Sequence, residues 1–352
     1  MHKSSTTNAR QLMTAAVLAA CAALGGGCSS FQDESTLIDL RILAIKADPA
    51  EIYVDPSKLA TQTAPFESTF TALVVDPKGN GRAISYDVLA CPRDIDTVTA
   101  ATGHNGVICA HNVPGQTPSS YEVISPDTPS LTTDPGPEHD ISFDFSVPPS
   151  LLEVAFGVDP YAAMGFQLPV VVQMELAAGS ESIVTTKRMI FSQQLPDRPA
   201  QAPNQNPTIM TMTIYPARDA NADPISPVPL DPGTPVPIRL GSQMWFEPGG
   251  AIAEAYSTRS LTRDNPPQVV TTDVPAETLR YAFFSTAGTF TPVETSTATP
   301  PIFTSPDRIH IESQYTAPTT MPDNPNLTVW FVVRDERGGA SWTTRQIQLV
   351  SP

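Results

Sequence analysis

The sequence predicts an all-β protein made of two tandem β-sandwiches. Three observations carry that reading. The 352 residues include 38 prolines, more than twice the usual share, and proline is excluded from helix interiors and from central strands. Apolar residues alternate with polar ones over short runs that end in Pro, Gly, Asn or Asp, and no strong helical period competes with them. One pattern also occurs twice. VVQMELAAGSESIVTTKRMIF (Val171 to Phe191) and VWFVVRDERGGASWTTRQIQL (Val329 to Leu349) align without a gap. Each is an alternating strand, a polar Gly-containing turn, Thr-Thr-basic and a second strand, which is the signature of a β-hairpin.

Residues 1–27 read as an export signal. Lys3 and Arg10 precede the apolar run Leu12 to Leu24, which is too short to span a bilayer and stops at Gly25-Gly26-Gly27. Two of the four cysteines, Cys21 and Cys28, fall here. The stretch resembles a bacterial lipoprotein signal, in which a cysteine becomes the lipid-modified first residue of the mature chain. Leu18-Ala19-Ala20-Cys21 fits the lipobox of that family by its letters, but cutting there leaves an apolar region of only about nine residues. Gly25-Gly26-Gly27-Cys28 departs from the lipobox by one position, yet gives a normal length and a polar tail. Cys28 is the predicted lipidation site and Cys21 the alternative. Neither is followed by Asp, so the resemblance implies a palmitate-type anchor in the outer membrane. Such an anchor buries well over a dozen methylenes at about 0.8 kcal/mol each. Residues 28–35 would be its tether, and no later run of 18 apolar residues suggests a spanning helix.

The first sandwich is expected over 36–195. It opens with the strand LIDLRILAIKA (Leu37 to Ala47), and FTALVVDPKGNGRAISYDVLAC (Phe70 to Cys91) is strand, turn, strand. A proline-rich insertion follows at about 92–167, read as flexible, before the first copy of the hairpin. Residues 196–206 carry no apolar pattern and read as a linker. The second sandwich, 207–352, repeats the plan with TIMTMTIYPA, PIRLGSQMWFEP, LRYAFFSTAGTF and the second hairpin, Tyr86 and Tyr281 opening matching strands. The closing VWFVVRDERGGASW resembles the last hairpin of immunoglobulin-like modules of the PKD or cadherin-like kind. The whole layout is similar to bacterial lipoproteins with tandem modules of this sort. That resemblance implies a fold and a surface setting, not an activity.

Charge narrows the partners. There are 20 basic and 36 acidic side chains, a formal net charge of −16, and the signal removes two of the bases. So negative a surface repels phosphate backbones, so nucleic acid is not an expected partner. Cys91 and Cys109 are expected to form a disulfide in an oxidising compartment, with Cys91 on the inner face of its strand. His104 and His111 near Cys109 make zinc the alternative, without any Cys-x-x-Cys or His-x-x-x-His pair to support it. Asp219, Asn221 and Asp223 alternate as weak calcium candidates, but Pro224 and Leu230 stand where a calcium loop needs Gly and Glu. Asp335 reads either as a calcium ligand or as part of a polar turn.

No Gly-x-Ser-x-Gly or His-Glu-x-x-His occurs, and the histidines outside the signal (His104, His111, His139, His310) form no catalytic pattern. The chain is expected not to be an enzyme and to need no cofactor. Trp245, Phe246, Phe284 and Trp330 sit in adjacent-aromatic runs, and alternation forbids both members of such a pair from facing one core. One must face solvent, the other sandwich or a partner, which makes these four a possible ligand face. The expected role is that of a lipid-anchored cell-envelope protein with a non-catalytic structural, adhesive or protein-binding role. The alternative is a carbohydrate-binding surface module; the partner is an envelope protein or a glycan.

Overall fold

A computed structural model of the chain describes residues 33–92, 109, 121–132, 138–158, 161, 164–193, 201–219, 223–298 and 311–352. The signal with Cys21 and Cys28, and His104, His111, Asn221 and His310, lie outside the described residues.

Among the described residues the first sandwich has nine strands: β1 (Arg41–Asp48), β2 (Glu51–Tyr53), β3 (Phe66–Val75), β4 (Ile84–Pro92), β5 (Tyr121–Ile124), β6 (Ser130–Thr132), β7 (Glu138–Val147), β8 (Leu168–Ala178) and β9 (Glu181–Ser192). One sheet has the order β1-β3-β7; the other runs β2-β9-β8-β4-β5, with β6 also on β4. The second sandwich follows with β10 (Thr211–Tyr215), β11 (Ala217–Arg218), β12 (Pro224–Ile225), β13 (Val228–Pro229), β14 (Val236–Arg239), β15 (Gln243–Gly249), β16 (Tyr256–Leu261), β17 (Val269–Val274), β18 (Leu279–Ser285), β19 (Thr289–Thr291), β20 (Glu294–Ser296), β21 (Ser313–Thr316), β22 (Asn326–Asp335) and β23 (Ala340–Val350). Its main sheets have the orders β13-β10-β15-β21-β19 and β14-β23-β22-β18-β20.

Both sandwiches are all-β, immunoglobulin-like, and share one strand order. β1-β3-β7 matches β10-β15-β21, and β2-β9-β8-β4-β5 matches β14-β23-β22-β18-β20. In each, a short early strand pairs in parallel with the last one, Glu51 opposite Ile190 and Val236 opposite Ile347. The repeated hairpins are β8–β9 and β22–β23. Their registers differ by one residue, since Val171 pairs with Arg188 whereas Val329 pairs with Arg345. The turns explain the slip. The first closes tightly between Ala178 and Glu181 around Gly179 at positive φ, and the second is longer, with the Asp335 amide bonding the Gly339 carbonyl.

Three expectations need correction. The stretch 92–167 is not all insertion. Ile-Ser-Phe-Asp-Phe-Ser-Val (141–147) alternates cleanly and forms most of β7, whose Ile141, Phe143, Phe145 and Val147 enter the first core. After it, helix α1 (Pro149–Val158) turns Leu152 and Phe156, one helical turn apart, onto the same core. Proline density in the flanking loops hid both.

The expected linker is not loose where it is described. Asn204 is fully buried, and Asn206 donates to the Ala47 carbonyl while accepting from the Ala340 amide. The first described residues do not start the first sandwich either. Ser35 to Leu37 bond the Ser285 backbone and the Phe290 amide in the second.

Alternation then explains how the sheets stack. In β3, Phe70, Ala72 and Val74 face the first core, while Leu73 and Val75 point the other way. In β22, Val329, Phe331 and Val333 face the second core, while Trp330 and Val332 point away from it. The two outward faces meet in a third apolar cluster of Leu37, Leu43, Ala44, Leu73, Val75, Ala282, Trp330 and Val332. A bulge between Ile42 and Ala44 allows both Leu43 and Ala44 to face it. The sheets therefore stack face to face through both sandwiches, and Ser35–Pro352 form one compact unit.

Candidate functional site

The junction between the sandwiches gathers most of the buried polar chemistry. The side chain of Glu51, on β2, is about 2% exposed. Its Oε1 accepts from the Ser192 hydroxyl and from Gln167 Nε2 at 3.2 Å. Its Oε2 accepts from the Asn204 amide at 2.7 Å and from Arg337 Nη2 at 2.7 Å. One carboxylate thus ties together the first sandwich, the connecting segment and the β22–β23 turn of the second. Arg337 reaches Glu254 with its other arm at 3.4 Å and lies over the Tyr256 ring at 4.9 Å.

The turn is shaped to present that arginine. Asp335 accepts from the backbone amides of Arg337 at 2.9 Å and Gly339 at 2.7 Å, and from Asn204 Nδ2 at 3.1 Å. A Cβ on Gly339 would fall 2.1 Å from the Asp335 carboxylate, so only glycine fits there. Of the two readings of Asp335, the structure shows the polar turn. Beside it, Glu277 is 2% exposed; its Oε1 accepts from the Glu254 amide at 3.1 Å, and its Oε2 has no partner among the described residues. Burial pushes this carboxyl up to about 7.

Above this network opens a cleft of about 320 Å³. Tyr53, Phe166 and Gln167 wall it on one side, and Tyr256, Arg259 and Arg337 on the other. Arg259, on the β16–β17 ribbon, reaches across to the Met164 carbonyl, and Tyr53 donates to Ala202 at 3.1 Å. Burial, then its bond to Glu336, pushes the Tyr256 hydroxyl up to about 12, so it remains a donor at any ordinary pH. The lining offers donors, acceptors and aromatic edges, which suits recognition of a polar chain segment.

The sequence did not single out this site. Glu51, Asn204 and Arg337 are far apart in the chain and fit no spacing motif, and each is the type of residue usually found on a surface. Their burial follows from the stacking of the sandwiches, which local patterns do not encode.

The proposed ligand face is not one surface. Phe246 is fully buried against Phe290, Tyr315 and Phe331. Trp330 is fully buried between the sandwiches, and its indole donates to Glu138 at 2.8 Å. Phe284 packs against the same junction cluster. Trp245 is on the opposite sheet, with the Arg218 guanidinium 4.2 Å from its ring centre. The alternation argument held: Phe284 and Trp330 turn from their own core to meet the other sandwich, while Trp245 turns outward to the Arg218 guanidinium.

Cys91 and Cys109 are bonded, with Cα atoms 5.7 Å apart. The face expected for Cys91 was wrong. Tyr86, Val88 and Ala90 pack toward the core, whereas Leu89 and Cys91 cluster with Cys109 and Val171 on the outer side of the sheet. There Gln173 clamps Cys109 with two bonds, accepting from its amide at 3.0 Å and donating to its carbonyl at 3.1 Å. Asp219 closes its own turn, accepting from the Asp223 amide at 2.9 Å. Among the described residues no three His, Cys, Asp or Glu side chains gather as a metal site, and no helix is long and apolar enough to cross a membrane.

No protein-family model matches the chain, and no curated protein matches it. Among solved structures it is similar to the transglutaminase of red sea bream at 9% identity and a TM-score of 0.20, covering 89% of this chain and 32% of that one. It is similar to a variant of Salmonella α2-macroglobulin at 11% identity and a TM-score of 0.20, covering 90% of this chain and 17% of that one. Escherichia coli α2-macroglobulin gives 11% identity, a TM-score of 0.21 and coverage of 92% and 17%. The chain thus spans a third or less of these proteins. Scores this low support no argument about function.

Proposed function

We propose that the chain is a lipid-anchored protein of the bacterial cell envelope with a non-catalytic, protein-binding role. The observation that supports this reading is the junction cleft. Its two walls come from different sandwiches, and a buried charge network beneath holds them at fixed separation, so a partner segment meets a recess that needs no reorganisation. The anchor belongs to the same reading. Cys28→Ser should release the protein into the soluble fraction while Cys21→Ser leaves it on membranes; the reverse would make Cys21 the acylated residue.

The partner is tested by cross-linked capture of the intact lipoprotein from its own envelope. Capture of a defined protein should be lost in a Tyr53→Ala/Tyr256→Ala variant that still folds. A second reading, a carbohydrate-binding module, is favoured by the tyrosine edges, Gln167 and Arg259 in the same cleft, side chains that suit hydroxyl-rich ligands. Glycan-array binding lost in that variant, with no protein captured, would select it.

A further inference from the structure

A second recess, of about 240 Å³, opens at the junction where β1, β9 and the base of the β22–β23 turn meet. Two cations line it, Lys187 from β9 and Arg334 from β22, together with Thr185 and Thr186. Both cations are partly buried. Each makes a hydrogen bond to a backbone carbonyl: Lys187 donates to Gly338 and Arg334 to Leu43. Neither forms an ion pair with a described carboxylate. The acid closest to Lys187 in its electrostatic effect, Asp335, is already committed to two backbone amides and Asn204.

In a chain of formal net charge −16, two partly desolvated cations that feel Asp335 and Glu294 only at a distance, with no ion pair among the described residues, form an unusual arrangement, because buried charge is normally paired. Lys187 retains two donors and Arg334 four beyond the bonds just named, and the hydroxyl of Thr185, on the same face of β9 as Lys187, adds to them. The recess has room for a small ion and several waters. A guanidinium fork beside a compact ammonium suits the oxygens of a phosphate. Near neutral pH a phosphate carries between one and two negative charges and can be bound as the dianion, which matches both cations, whereas a carboxylate would leave one uncompensated.

We propose that this recess is a phosphate-binding site, with Lys187 and Arg334 as the charge partners and Thr185, on the Lys187 face of β9, as a further donor. Burial pushes the Lys187 ammonium down to about 8 and lowers Arg334 as well, more than the distant Asp335 and Glu294 offset. A bound dianion would reverse both shifts.

The test is calorimetric titration of the detergent-solubilised full chain with inorganic phosphate, against chloride at equal ionic strength and against acetate. Saturable one-to-one phosphate binding is expected, with a raised melting temperature and acetate at least tenfold weaker. Lys187→Met should melt higher than the wild type without ligand, because it removes an unmatched charge, yet lose phosphate affinity at least tenfold. Arg334→Met should lose affinity similarly, and if it fails to fold, Lys187→Met decides alone. Glycerol 3-phosphate binding as tightly as phosphate would assign the site to a phosphomonoester, and preference for inorganic phosphate to the free ion; both support the site. No saturable heat, equal affinity for acetate, or undiminished binding by Lys187→Met would overturn it.

Discussion

At Glu51 four donors converge on one carboxylate, and its charge is matched by Arg337 in a place almost shut off from water at the floor of the cleft. Such a pair adds little over an apolar contact of the same shape, but removing one partner strands the other. Arg337→Met should therefore cost about 3–5 kcal/mol in urea unfolding. Adding Glu51→Gln to it should cost less than the sum of the two single changes, since they share one interaction. Additive costs would mean the pair is not coupled. Glu277 makes the opposite contribution. Its carboxyl is raised to about 7 from an ordinary 4.5, so between those values the folded protein holds a proton that the unfolded chain has released. Stability from this group is thus lost as pH rises from about 4.5 to 7. Glu277→Gln should gain in melting temperature relative to the wild type across that window and hold the gain above it. A difference that does not change with pH would rule this out.

The elements show what local patterns encode and what they do not. The β8–β9 and β22–β23 hairpins, the strand pairs around Tyr86 and Tyr281, and the leading strands β1 and β10 were legible, because alternation and turn residues are local properties. β7 was hidden by flanking prolines, although Phe143 and Phe145 alternate as clearly as any pair in the chain. β2 and β14 are three and four residues long, too short to leave a periodic signal, and their parallel pairing depends on strands far along the sequence. The disulfide was legible from cysteine arithmetic, but its face was not, since five residues separate Tyr86 from Cys91 and an odd step reverses the face. With Gln173 clamping Cys109, the bridge fixes the return of the insertion on the outer side of β8. Reducing it should destabilise the intact chain by about 3 kcal/mol, the loop-closure value for a loop of this size. An unchanged urea midpoint would show that the Gln173 clamp alone holds the insertion.

Across the whole molecule, the faces that alternation leaves outside each core are used to join the sandwiches. Trp330 illustrates this best. It is fully buried, yet it belongs to neither sandwich core; it packs among Leu43, Leu73, Val75 and Val332 and donates to Glu138. The sequence showed that such aromatics must face something other than their own core, but not which surface would cover them, because that depends on how two complete sandwiches meet. Trp330→Ala should cost about 3–5 kcal/mol, the range for deleting a large buried aromatic, and should destabilise both sandwiches together. Either half expressed alone would expose its share of this cluster to water. Scanning calorimetry of the full chain in detergent tests the joint most directly. One transition is predicted, with calorimetric and van't Hoff enthalpies equal within error, shifting as a whole in Trp330→Ala. Two separable transitions, of which Trp330→Ala moves only one, would contradict it.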